Sequence, residues 1–158
     1  MTDCTVRKAD AGDIPALSAL RLAYLTEHCG GYDPALPERL APYFAAHLNK
    51  DCFAAIAELP EAGAVAAALL VCTEMPPNNR FPHGKYATVY SVYTAPEHRR
   101  QGVAPDMIRL LLDIAAQQGT DRVLLSATEA GMGVYKRLGF VRKESHYEME
   151  YIFDQQKG

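Results

Sequence analysis

A strand that passes through a basic turn into an amphipathic helix, and from there into a second buried strand, limits the folds open to this chain more than any other feature. Tyr86 to Thr94 is β-branched and aromatic, and Ala95 to Gln101 reads as a turn. Gly102 to Gln118 repeats apolar Met107, Ile108, Leu111, Leu112 and Ala115 against polar Arg109, Asp113 and Gln117, and Arg122 to Ser126 is apolar again. A helix between two strands is a crossover, which allows a parallel pair. Gly119 closes that helix.

The upstream half is arranged differently. Thr5 to Lys8 reads as a short edge strand, and Ile14, Leu17, Leu20, Tyr24, Leu25 and His28 describe a helix opened by Asp13 and Pro15 and ended by Gly30 and Gly31. A second helix is expected from Pro37 to Leu48. Cys52 to Glu58 and Val65 to Thr73 then form two strands joined by a turn at Pro60 to Gly63. The Ala66 to Ala68 run suits a helix equally well, but it is short, follows a turn and ends in Val71, Cys72 and Thr73, so it is assigned to the strand. Downstream, Ala130 to Leu138 is a short helix stopped at Gly139, and Val141 to Ser145 with Tyr147 to Phe153 reads as a terminal strand pair. The expected class is α/β (α+β): one mixed, mostly antiparallel twisted sheet of about seven strands flanked by about four helices.

A length of 158 residues, 49% hydrophobic, supports one core but not two, so residues 1–158 are expected to form a single domain. The formal net charge of −3, with both signs mixed along the chain, disfavours a nucleic-acid partner. Met1 is followed by polar Thr2, Asp3 and Cys4, and no apolar run approaches membrane-spanning length, so no membrane association and a cytoplasmic location are expected. Cys4, Cys29, Cys52 and Cys72 are widely spaced, without zinc-ligand intervals, and are read as reduced and structural; no metal is implied.

The turn itself, Val92-Tyr93-Thr94-Ala95-Pro96-Glu97-His98-Arg99-Arg100-Gln101-Gly102-Val103-Ala104, has the physics of an anion site. First-turn amides of a helix lack internal partners, the helix dipole is positive there, and Gly102 lets a phosphate approach the backbone. Arg99 and Arg100 add positive charge. Residues Met75 to Lys85, with three prolines and a glycine, form a long loop of the kind that lines pockets.

This string closely resembles the coenzyme A signature of the GNAT superfamily of N-acetyltransferases, Arg/Gln-x-x-Gly-x-Gly/Ala, met here by Arg99, Gly102 and Ala104. A second stretch, Gly133-Val134-Tyr135-Lys136-Arg137-Leu138-Gly139-Phe140, resembles the superfamily's Leu-Tyr-x-x-x-Gly-Phe box, and the two occur in the right order. The likeness extends over nearly the whole chain, from the Arg7 strand to the Tyr147 to Ile152 segment. It implies an acyl-coenzyme A N-acyltransferase fold with acetyl-coenzyme A as cosubstrate and an amine as acceptor.

By that resemblance, amides of Arg100, Gln101, Gly102, Val103 and Ala104 hold the diphosphate, with Arg99 and Tyr93 beside them, while the backbone of Val92 and Thr94 pairs with pantetheine as an added strand. Pro105 removes one entry amide, although a proline in the first turn is compatible with helix geometry. Where the superfamily often has Asn before the tyrosine, this chain has Thr128, which can cap a helix. Tyr135 takes the position of the residue that protonates the departing thiolate.

An alkylamine of pKa about 10.4 must first lose a proton, at a cost of roughly 4 to 5 kcal/mol at pH 7. Many superfamily members use a Glu on the fourth strand, but here that strand reads Thr88, Val89, Tyr90, Ser91. Glu74, Glu129, Glu27, His83, and Tyr90 or Ser91 through water are the candidates for the base. Tyr24, Tyr32, Phe81, His83 and Tyr147 lie in segments expected to meet the acceptor, and exposed strand edges are candidate homodimer surfaces. The missing carboxylate and Pro105 leave a second reading, a non-catalytic acyl-coenzyme A binding or regulatory module. Acetylation of a protein terminus or of aminoacyl-RNA is a narrower third, the latter disfavoured by the acidic balance.

Overall fold

Continuous apolar sequence through the middle of the chain becomes a sheet covered on both faces. In the computed structural model, which describes residues 3–143 and 149–153, the strands are β1 (Thr5–Lys8), β2 (Cys52–Leu59), β3 (Gly63–Glu74), β4 (Lys85–Thr94) and β5 (Arg122–Leu124). They lie in the order β1-β2-β3-β4-β5. The first three pairings are antiparallel and the last, β4 with β5, is parallel, as a crossover helix allows.

That crossover helix is α3 (Val103–Gln117), and it lies on one face. Its Val103, Met107, Ile108, Leu111 and Ile114 pack on Phe53, Ala55, Ala57, Ala66, Ala68, Leu70, Ala87 and Val89. The alternate strand residues Cys52, Ala54, Ile56, Ala67 and Leu69 turn to the other face, under Leu17 of α1 (Ile14–Cys29) and Phe44 of α2 (Pro37–His47). Burial on both faces explains why β2 and β3 read as unbroken apolar runs rather than alternating ones. The Ala66–Ala68 stretch is strand, and its small side chains let helices sit close on either side.

Entry into α1 is built from local acids. Asp10 and Asp13 form a reciprocal capping box around a short 3-10 turn, Pro15 sits in the first turn of the helix, and Gly30 ends it in a left-handed conformation. Among the described residues no helix is long and apolar enough to cross a membrane, and no cluster of His, Cys, Asp or Glu could hold a metal.

The sheet has five strands among the described residues, not about seven. Val141–Lys143 and residues 149–153 carry no strand, and residues 144–148, with Tyr147, lie outside the described residues. Val141, Met149, Tyr151 and Phe153 are almost fully exposed. Their alternation matches a strand, but the period selects that state only where a neighbouring strand and a covered face receive the side chains. The three-residue β5 supplies neither here.

Candidate active site

Pairing between β4 and β5 covers only Tyr86↔Arg122, Ala87↔Val123 and Thr88↔Leu124. Past Thr88 no pairing joins them, because β5 ends at Leu124. Ser91 takes a left-handed backbone (φ 56°) where the β3 register shifts between Ala67 and Leu69. The extra residue there is a β-bulge, which sharpens the local twist and bends the strand. The outer backbone edge of Val92, Tyr93 and Thr94 is left without a strand partner among the described residues.

At the end of β4 the chain makes a 3-10 turn at Pro96–His98 and then two left-handed steps, Arg100 (φ 61°) and Gly102 (φ 80°), before α3 begins. Among the described residues no side chain caps α3. Changes of backbone hand such as these turn successive amides into a concave nest, and the helix dipole adds partial positive charge to it. Pro105 stands in the first turn of α3, where its missing N–H costs no helix hydrogen bond.

A cleft of about 590 Å³ brings these elements together. Val92, Tyr93, Thr94, Arg99, Arg100, Gly102, Val103, Ala104 and Pro105 line it, with Glu27 and His28 from α1 and Val134 and Arg137 from α4 (Met132–Arg137). Of the residues expected for the cofactor, Gln101 is exposed outside this lining. Thr128 is occupied elsewhere: its hydroxyl accepts from the Gly131 amide at 3.1 Å, at the start of α4.

Arg99 is held closely. Its Nε donates to the Thr94 carbonyl at 2.8 Å, Nη2 donates to both Glu27 oxygens at 2.7 and 2.9 Å, and the guanidinium lies 5.6 Å from the centre of the Tyr93 ring. Nothing local in the sequence marks Glu27, His28 and Arg137 as neighbours of the turn, because only tertiary packing brings them there.

Tyr135 lines a second, larger cleft of about 760 Å³ that shares α4 as a wall and also contains Arg80, Phe81 and β5. Its ring meets Phe140 edge-on at 5.9 Å. Burial, followed by the nearby Tyr24 phenol, pushes its hydroxyl above the ordinary phenol range, so it remains protonated. Burial likewise raises the thiols of Cys52, to about 11, and of Cys72, which makes both poor nucleophiles.

The candidate bases are scattered. Glu74 ends β3 opposite Lys85, Glu129 is exposed ahead of α4, and Tyr90 is half exposed on β4. Ser91 is buried in the bulge. His83 is tied to Asp121, with its amide at 2.9 Å and Nδ1 at 2.7 Å from the carboxylate. Residues 75–84 do line a pocket, through Arg80 and Phe81, but it is the larger one.

The sequence profile described as the acetyltransferase (GNAT) family matches residues 17–140. The chain belongs to that family. Among solved structures, this GNAT-family chain is similar to a predicted acetyltransferase from Clostridium acetobutylicum determined with acetyl-CoA, at 27% identity and a TM-score of 0.82, with 93% of this chain and 96% of that one covered. A GCN5-related N-acetyltransferase from Ralstonia eutropha shares the fold at 24% identity and a TM-score of 0.73, over 95% and 98% of the two chains. Glucosamine-6-phosphate N-acetyltransferase from Arabidopsis thaliana does so at 16% and 0.73, over 96% and 99%. No curated protein matches the chain.

Proposed function

We propose that this GNAT-family protein transfers the acetyl group of acetyl-coenzyme A directly to a primary amine on a small molecule or peptide. One observation carries the reading: the outer edge of Val92–Thr94, which no described strand covers, leads through the turn to the uncapped start of α3, in a single cleft. An extended chain ending in a diphosphate needs those two features in that order, a strand edge for its amides and an uncapped helix start for its anion. Arg100 and Arg137 add positive charge along the walls.

Acetyl-coenzyme A supplies the activated acyl group when bound. The chain's own part is to orient that group and to move protons. Tyr135, kept protonated by burial, is the donor for the departing thiolate. The raised thiol pKa of buried Cys52 and of half-buried Cys72 favours attack by the amine itself over an acyl-cysteine route through either. β4 carries no carboxylate, so an acceptor amine with a low pKa, or one deprotonated through water beside Tyr90, suits this site.

Release of coenzyme A thiol, followed across a panel of amines with acetyl-coenzyme A, tests the proposal. Stoichiometric thiol and acetylated amine are expected. Normal coenzyme A binding without release on any amine would replace transfer with a non-catalytic binding role.

A further inference from the structure

Resting on that reading of the cleft, the geometry points to Glu27 as a positioning residue for cofactor binding, acting through Arg99 on the turn that presents the diphosphate amides. Glu27 lies in the last turn of α1, 72 residues from Arg99 in the chain. Its two oxygens take the same Arg99 nitrogen at 2.7 and 2.9 Å, while Arg99 Nε closes back on the Thr94 carbonyl at 2.8 Å. One guanidinium therefore joins three pieces: the end of β4, the 95–99 turn and the end of α1.

Two features suggest that this joint serves the turn. Arg100, the next residue, holds a left-handed backbone that non-glycine residues keep only when their surroundings impose it. Glu27 is also badly placed on electrostatic grounds. Its carboxylate sits at a helix C-terminus, where the dipole disfavours negative charge, and it lines the cleft proposed to take a diphosphate. The Arg99 contact offsets both penalties. It also occupies the Glu27 oxygens, which argues against Glu27 as the base that deprotonates the amine.

The electrostatic and positioning effects have opposite signs, and this makes the inference testable. Removing a carboxylate from an anion cleft should tighten coenzyme A binding by charge alone, whereas releasing Arg99 should weaken it by loosening the turn. Calorimetric titration of wild type and Glu27→Gln with coenzyme A and with S-acetylpantetheine, which lacks the diphosphate, separates the two. The expected result is a Kd for coenzyme A raised about 3- to 5-fold in Glu27→Gln, with unchanged binding of S-acetylpantetheine. In turnover, the KM for acetyl-coenzyme A rises while kcat at saturation is kept.

Equal or tighter coenzyme A binding by folded Glu27→Gln overturns the inference, as does an equal loss for both ligands. A collapse of kcat at saturating acetyl-coenzyme A would make Glu27 the base instead. Failure of the wild type itself to bind coenzyme A would remove the functional reading and this inference with it, an outcome distinct from all the others.

Discussion

Thr88 and Leu124 are the last residues at which β4 and β5 remain paired, so Val92–Thr94, which line the cleft proposed for the cofactor, have no β5 partner. Ser91, three residues past Thr88, carries the bend at φ 56° while almost fully buried. Replacing it with Val puts a β-branched side chain into a left-handed backbone and is expected to destabilise the fold by about 1 to 3 kcal/mol. Ser91→Gly should be neutral or mildly stabilising. Urea unfolding of the pair checks this, and equal stability of Val and Gly variants would mean that the bulge is not held at Ser91.

Gly102 tests the cleft more directly. A Cβ added there meets no atom within 4 Å, so Gly102→Ala costs only the left-handed strain of about 1 to 2 kcal/mol. A diphosphate held against the backbone at this point would meet the methyl. Coenzyme A affinity should fall about tenfold or more, while the protein stays folded with Tm lowered by only several degrees. Unchanged affinity would show that the anion does not approach the backbone at this point.

Tyr135→Phe keeps the edge-on contact with Phe140 and removes only the hydroxyl. With Tyr135 as thiolate donor, kcat should drop by about 100-fold or more with little change in the KM for acetyl-coenzyme A. Because burial raises its pKa, the wild-type rate should show no alkaline decline from this group until above the ordinary phenol range near pH 10. A variant with normal kcat would leave Tyr135 as a packing residue of the larger cleft.

Much of this layout was legible in the sequence because the signals are local. The amphipathic period of α3, the Gly30 stop of α1 and the turn before the Ala66–Ala68 strand each fix an element within a few residues. The turn before α3 was legible for the same reason, since a glycine after a basic run opens a helix. What the sequence hid depends on distant parts of the chain meeting. Serine and arginine do not announce positive φ, so neither the Ser91 bulge nor the strained Arg100 is visible beforehand. Glu27 reads as one candidate base among several, and its pairing with Arg99 emerges only when α1 packs beside the turn. Met149, Tyr151 and Phe153 alternate as strand residues do, yet that pattern cannot state whether a sheet edge is there to receive them.

Acid stability offers a test outside the cleft. Arg7 of β1 places Nη1 and Nη2 at 2.7 Å from the two Asp13 oxygens, and Nη2 at 2.6 Å from Glu58 on the neighbouring strand. The Arg7 hydrogen bonds hold the Asp13 carboxyl below the usual carboxylate range despite opposition from partial burial. The folded pKa is depressed, so the stabilisation is fully present above the unfolded Asp value of about 3.9 and is lost as pH falls through the lower folded value. Asp13→Asn should therefore cost about 1 to 2 kcal/mol at pH 7, a range reduced for the partial exposure of Arg7. The gap between mutant and wild type should close below about pH 4. Urea denaturation at pH 7, 5 and 3 measures both stabilities, and a difference that stays constant down to pH 3 would show that the charge of Asp13, as distinct from its shape, contributes nothing to docking α1 on the sheet.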